Sequence, residues 1–277
     1  MSAQENIKKT IKALEKRDIK GWMAENALQA QKIVLGLISR NAIVGIGDSS
    51  TLRQVGIVEA IKKKGNRVIN PFDIDNPVVD KKTNFENLFY PSLQASVCDV
   101  FVTGSNALTE DGRLVNIDGA GNRVAGMFWG HPVSIIVVGR NKIVKNLEAA
   151  LDRVKNVVAP EHLKRKGMNT PCVKSGRCHD CNGPKRVCAI TTIIEHKPVL
   201  TAINVVIVDM DLGLSWDRSW PKDRVENIVN LHEKYMWGCP INRLAVENVD
   251  TSTLWKMARD RGIVWPSKGS DGKKGDK

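Results

Sequence analysis

Apolar residues recur at three- and four-residue steps near the start of the chain, where Ile7, Ile11 and Leu14 share one face of a helix. Residues 22–38 repeat that period and predict a second amphipathic helix. The pattern changes at 42–47, Ala-Ile-Val-Gly-Ile-Gly, a short apolar run that reads as a buried strand. Asp48, Ser49, Ser50 and Thr51 follow. These are helix N-cap residues, and they open a helix predicted to reach about residue 64. Further strands are predicted at 67–70, 97–103, 134–139 and 203–208, and helices at 84–96 and 146–158. Residues 189–194 fit either state, and Gly112, Gly119 and Gly121 mark turns. Strands alternating with helices argue for an α/β fold with a largely parallel sheet.

From about residue 217 the pattern is helical and rich in tryptophan: Trp216, Trp220, Trp237, Trp255 and Trp265. The expected organisation is an α/β domain over 1–216, a Trp-rich helical extension over 217–266 and a disordered tail over 267–277. With 277 residues, 42% of them hydrophobic and 5% aromatic, the composition is that of a globular chain rather than a fibrous or disordered one. The longest apolar stretches, such as Ile135-Ile136-Val137-Val138, are far too short to cross a bilayer. The first residues are polar with no apolar signal core behind them, so a cytoplasmic protein without a membrane span is expected.

Charge changes the picture more by its placement than by its total of +12. Between Lys164 and Cys188 stand seven basic residues and a single acid, Asp180, and four of the six cysteines fall in the same window. Cys172, Cys178, Cys181 and Cys188 are spaced C-x5-C-x2-C-x6-C, with Pro171, Gly176, Gly183 and Pro184 among them. Such a loop has little hydrophobic content with which to order itself, and a reducing cytoplasm disfavours disulfides. Iron–sulfur and zinc remain. Zinc sites usually show two close Cys pairs and only one is present, so a [4Fe–4S] cluster is the expected cofactor and zinc the alternative. The Lys and Arg residues would offset the negative charge of four thiolates. Cys98 reads as a small core residue, and His179 as a solvated loop residue rather than a ligand.

Two polar segments carry the candidate chemistry. Gly45-Ile46-Gly47-Asp48-Ser49-Ser50-Thr51 joins a strand to a helix, where backbone amides and small residues favour an anion. It is neither a Walker loop nor a dinucleotide fingerprint. The second segment runs from Thr103 through Asn106, Glu110, Asp111 and Asp118 to Asn122 and Arg123, starting at a strand end. In α/β sheets ligands sit outside the carboxyl ends of strands, so the two segments are expected to share one pocket. Asp48, Glu110 and Asp118 are the catalytic candidates, with an orienting or binding role favoured for Asp118. Gly47, Asp48, Ser49, Ser50, Thr51, Asn106, Asp118, Asn122 and Arg123 form the expected substrate-binding set.

Residues 47–52 (Gly-Asp-Ser-Ser-Thr-Leu), the run from Gly104 to Ala125, and Val138-Gly139-Arg140-Asn141-Lys142-Ile143-Val144 resemble the LUD (lactate-utilisation) domain family. The resemblance runs from about Asn6 to Trp216, and residues 170–188 are similar to its cysteine-bearing branch, lactate-utilisation protein C-like. It implies a three-layer fold similar to ribose-5-phosphate isomerase, glucosamine-6-phosphate deaminase and the CoA transferases. It also implies a part in oxidising lactate or another 2-hydroxy acid, beside an iron–sulfur or flavin redox partner. A stand-alone enzyme acting on a phosphorylated, CoA-linked or carboxylate substrate is the competing expectation. In either case the ligand is a small anion. A nucleic-acid-binding role ranks last, because no aromatic platform interleaves the basic residues.

Overall fold

Successive side chains of a strand point to opposite faces of a sheet, yet Ile135, Ile136, Val137 and Val138 are all fully buried. Ile135 and Val137 enter one hydrophobic core, and Ile136 and Val138 enter another. Both faces of this sheet are therefore covered, as parallel strands require. The structure is a computed structural model and describes residues 2–72, 92–183 and 186–235. Its strands are β1 (Lys20–Ala24), β2 (Val44–Ile46), β3 (Val68–Ile69), β4 (Val100–Gly104), β5 (Ala107–Thr109), β6 (Leu114–Asp118), β7 (Val133–Gly139), β8 (Ile143–Val144), β9 (Ile190–Ile194) and β10 (Ala202–Val208). The helices are α1 (Ala3–Glu15), α2 (Ala27–Leu37), α3 (Ser50–Val55), α4 (Ile57–Lys64), α5 (Asn122–Phe128), α6 (Leu147–Arg153), α7 (Ala159–Arg165), α8 (Pro171–Ser175) and α9 (Lys222–Lys234).

The main sheet has six strands in the order β1-β10-β7-β4-β2-β3, with every neighbouring pair parallel. Helices α2, α3 and α4 cover one face through Ala30, Val34, Leu52 and Ile61. On the other face lie α1, α5 and a second sheet, β8-β5-β6-β9, through Ile7, Leu14, Val124, Met127, Leu108 and Leu114. The second sheet is mixed, because β5 pairs parallel with β8 while β6 is antiparallel to both β5 and β9. Its far face packs under α6 through Ala107, Val115, Val144 and Ala150.

The α/β expectation holds, with differences of detail. Residues 20–24 are strand rather than the start of a helix, because Lys20 to Ala24 pair in register with Asn204 to Val208. That pairing is a tertiary contact invisible to local periodicity. The helix expected over 48–64 is broken at Gly56, whose φ of 72° suits glycine and ends α3 before α4 begins. The helix expected to end near 158 continues through a π turn, Val154–Val158, into α7. Residues 189–194 resolve as β9, paired with β6. Of the helix expected at 84–96, residues 92–96 are helical and the rest lies outside the described residues. Trp216 and Trp220 pack with Val157, Leu214 and Ile228, joining α9 to the α/β body. Trp237, Cys239, Trp255, Trp265 and the tail lie outside the described residues. Among the described residues no helix is long and apolar enough to cross a membrane.

Candidate functional site

Parallel strands bring their carboxyl ends to one edge, and there β2, β4 and β7 release the loops starting at Gly47, Ser105 and Arg140. The strands lie close: a Cβ on Gly104, the last residue of β4, would come within 2.5 Å of Ser49 Oγ. Glycine there lets the hydroxyl loop sit directly on the sheet edge. The three hydroxyls of that loop have different partners. Ser49 caps α3, its Oγ accepting from Leu52 N at 3.4 Å. Ser50 Oγ stands 3.1 Å from Nδ1 of His232 on α9. Thr51 Oγ1 accepts from Lys142 Nζ at 3.1 Å. The helix these residues open has only six residues, so its dipole is short and the positive charge of the site comes from side chains instead.

Lys142 is the nearest of those charges. It leaves β7 on a 3-10 turn, Arg140–Lys142, is only 6% exposed, and also donates to Ser105 O at 2.7 Å. Burial, and then the charge of Arg123, hold its ammonium down to about 7. The Ser105 hydroxyl donates to Asn116 Oδ1 at 3.1 Å, and Arg123 Nη1 donates to the same oxygen at 3.0 Å. Arg123 also reaches Asn106 Oδ1 at 3.1 Å, Ile117 O at 2.8 Å and Asp118 Oδ2 at 3.3 Å. A continuous polar chain thus links Thr51 to Asp118 through Lys142, Ser105, Asn116 and Arg123. Within or beside it, the buried atoms Thr103 Oγ1, Asn116 Nδ2 and His232 Nε2 have no hydrogen-bond partner among the described residues.

Asp48 forms the other wall. Its Oδ1 accepts from Arg53 Nη1 at 2.8 Å. Burial raises its pKa, but Arg53, Lys166 and His162 outweigh that and hold the carboxyl at about 2. About a quarter of its side chain, 26%, is still exposed, so it is a charged wall rather than a sealed acid. His162 on α7 is held at about 3, first by burial and then by Lys166, and it meets the His232 ring edge-on with centroids 6.4 Å apart. His232 is held at about 4 by burial and by Arg165, Lys142 and Arg53. Both imidazoles are therefore neutral near pH 7.

The structure brings together Gly47, Asp48, Ser49, Ser50, Thr51, Asn106, Asp118 and Arg123 of the expected set. Asp118 uses both oxygens internally, Oδ1 accepting from Gly121 N at 2.8 Å and Oδ2 facing Arg123. Asn122 opens α5 beside this hub and enters none of these bonds. Glu110 is not brought in. It sits in the β5–β6 turn, at the opposite end of β6 from Asp118, and pairs with Lys9 Nζ at 2.7 Å. Asp111 is beside it, facing Arg17 and Arg113. Sequence reasoning missed Lys142, Asn116, His162 and His232. A lysine three residues beyond a strand end was a usable signal, whereas the two histidines carried none.

The cysteine loop adjoins this polar cluster at both ends. It begins after α7, which carries His162, and it closes where Ala189 N donates to Asp118 O at 3.0 Å. Cys172 is buried on α8, Cys181 and Cys188 are half-buried, and Cys178 is exposed. Several bonds tie the loop around its cysteines, two of them at sulfur. Thr170 Oγ1 lies 3.1 Å from Cys172 Sγ, Asp180 N donates to Cys178 Sγ at 3.4 Å, and Arg186 donates to Cys181 O and Cys188 O at 2.8 and 2.9 Å. Burial and then the nearby Cys172, Cys178 and Cys181 push the Cys188 thiol up to about 11. Yet among the described residues no three His, Cys, Asp or Glu side chains could hold a single metal ion. A cubane asks for one thiolate per iron around a cage, so the donor set fits that group in chemistry and number. Cys98 lies in the core, donating to Ala95 O and Val100 O at 3.0 Å, with burial raising its thiol. His179 is an exposed loop residue bound to Ser175 Oγ at 2.6 Å.

Among solved structures, a DUF162 family protein from Deinococcus radiodurans, determined at 1.70 Å, is 16% identical to this chain. The match covers 75% of this chain and 99% of that one, with a TM-score of 0.41. No curated protein matches the chain. The family model described as the LUD domain matches residues 7–208, from α1 to the end of β10, which takes in the hydroxyl loop, Lys142, the Arg123 hub and all four loop cysteines. The chain belongs to the LUD domain family.

Proposed function

We propose that this protein takes part in the oxidation of lactate or a related 2-hydroxy acid. In this reading Lys142 receives the substrate carboxylate beside the Ser50 and Thr51 hydroxyls, and Cys172, Cys178, Cys181 and Cys188 carry a [4Fe–4S] cluster. The observation that carries the reading is the buried Lys142 ammonium, set between Thr51 Oγ1 and Ser105 O at the carboxyl edge of the sheet. A buried cation with hydroxyl and carbonyl partners but no carboxylate is a site for an incoming anion. Family membership supplies the link to lactate.

This chain's residues bind and orient. Lys142 attracts the anion, while Arg123 stays committed to Asp118, Asn106, Asn116 and Ile117 O, and Arg53 to Asp48. At about 2, Asp48 remains a carboxylate at neutral pH and is a poor proton acceptor, so its part is to hold Arg53 and balance Lys166. When bound on four cysteines, the cluster would supply one-electron transfer. Oxidation of a 2-hydroxy acid to a 2-oxo acid releases two electrons and two protons. The electrons leave to an iron–sulfur or flavin protein partner.

Protein purified without oxygen tests the reading in two parts, by iron and acid-labile sulfide content and by calorimetric titration with L-lactate. Cluster-level iron and sulfide together with lactate binding support it. Stoichiometric zinc without sulfide removes the cluster. Binding of a phosphorylated or CoA-linked compound in preference to L-lactate favours the stand-alone enzyme instead.

A further inference from the structure

Helix α9 lies beyond the family-matched residues 7–208, yet it reaches the polar cluster at Ser50. Arg224 anchors it, donating to Asp211 Oδ2 and Oδ1 at 2.8 and 3.0 Å while its guanidinium carbon stands 3.6 Å above the Trp220 ring centre. Ile228 packs with Trp216 and Leu214, and Leu231 packs against the core of the main sheet. The helix is thus fixed along its length. It delivers His232, which is 3% exposed, with Nδ1 at 3.1 Å from Ser50 Oγ.

The other ring nitrogen is the informative one. Nε2 is buried and has no hydrogen-bond partner among the described residues. Buried polar atoms are paired in nearly all native structures, so an unpaired one points to a ligand or a water. The His162 ring makes only an edge contact with it. The charges facing His232 are Arg165 on α7, Lys142 beyond β7, Arg53 on α3 and Asp48; Arg165 is paired with Glu161 and Glu233 and Arg53 with Asp48, which leaves Lys142 as the cation there with no carboxylate partner among the described residues. A cation without a carboxylate beside an unpaired nitrogen suits an anionic molecule bearing oxygens.

Resting on the reading of this pocket as a small-carboxylate site, we propose that His232 is a substrate-contacting residue. Its Nε2 accepts from the hydroxyl of the bound hydroxy acid while Nδ1–H donates to Ser50 Oγ, which leaves the Ser50 proton for the carboxylate. The helical extension is then part of the binding site rather than an appendage to it.

Two conservative variants of the full-length chain separate the nitrogens. His232→Gln places an amide near the position of Nε2, whereas His232→Asn places one near Nδ1. With L-lactate as the probe, the Gln variant should bind within about threefold of wild type. The Asn variant should lose about 10- to 150-fold, the range for one hydrogen bond to a charged ligand. The reverse pattern overturns the proposal, since His232 would then act only through Ser50. Equal affinity in all three proteins, or equal losses in both variants, also overturns it. Far-UV circular dichroism checks that each variant folds. Should Lys142→Met lose affinity while both His232 variants bind like wild type, the pocket stands and His232 is outside it. If wild-type protein binds neither L-lactate nor inorganic phosphate, the pocket reading falls and the role of His232 with it.

Discussion

The hydroxyl pocket and the cysteine loop adjoin each other and are ordered by opposite means. In the pocket, strand ends fix the backbone and each hydroxyl already has a protein partner: Leu52 N for Ser49, His232 for Ser50, Lys142 for Thr51. In the loop, Cys178 is exposed, two thiols are half-buried, and the ties are local bonds such as those of Arg186 together with Cys178 N to Asn156 Oδ1 and Ala189 N to Asp118 O. The pocket is organised before anything binds. The loop has little core of its own, and under the proposed reading its order depends on the cluster.

The largest effect expected from that difference is all-or-none. Cys178→Ser and Cys181→Ser should each abolish bound iron and sulfide and leave the loop open to proteases, while L-lactate affinity stays at the wild-type level. Cys98→Ser should keep the iron, since that thiol lies in the core. Loss of lactate binding in the loop variants would show that the two regions are one unit and break the comparison.

Lys142→Met acts on the other side. It should weaken L-lactate binding by about 10- to 150-fold, the range for a charged hydrogen bond, with iron content unchanged. Loss of iron in this variant would also join the regions. A third effect concerns acid. His162 and His232 are held at about 3 and about 4, well below the ordinary histidine value. Below about pH 6.5 the unfolded chain takes up those protons while the folded chain does not, so stability falls as pH drops toward 4. His232 alone contributes at most about 1.4 kcal/mol per pH unit over that window. Urea melts at pH 7 and pH 5 measure it, and His232→Gln should flatten part of the slope. The smallest effect is at Asp118→Asn. The amide oxygen can still accept from Gly121 N, and Arg123 keeps its other acceptors, so lactate affinity should fall less than about tenfold.

Much of the fold was legible because burial and local pattern agree. The apolar runs at 134–139 and 203–208 became central strands β7 and β10. β1 was not legible, since an edge strand takes its identity from a partner about 180 residues away, as Trp22 does from Val206. The site was legible where its residues are contiguous with a strand end, as in 47–51. It was not legible where parallel strands import residues from distant loops. Lys142 arrives from the turn after β7, and His232 from a helix that no motif connects to Ser50. Glu110 looked equivalent to Asp118 along the chain, yet an antiparallel hairpin sends them to opposite ends of β6.

The central claim is that buried Lys142 is the cation that receives a small carboxylate. Held at about 7, and facing Arg123 and His232, it loses its charge just above neutral pH unless an anion holds the proton in place. The direct test is calorimetric titration of wild-type protein with L-lactate at pH 6.5 and pH 8.5. Affinity should be about 10- to 30-fold weaker at the higher pH, and Lys142→Met should bind weakly with no such dependence. Wild-type affinity that is equal at the two pH values, or a Lys142→Met variant that keeps the wild-type pH profile, would contradict the account.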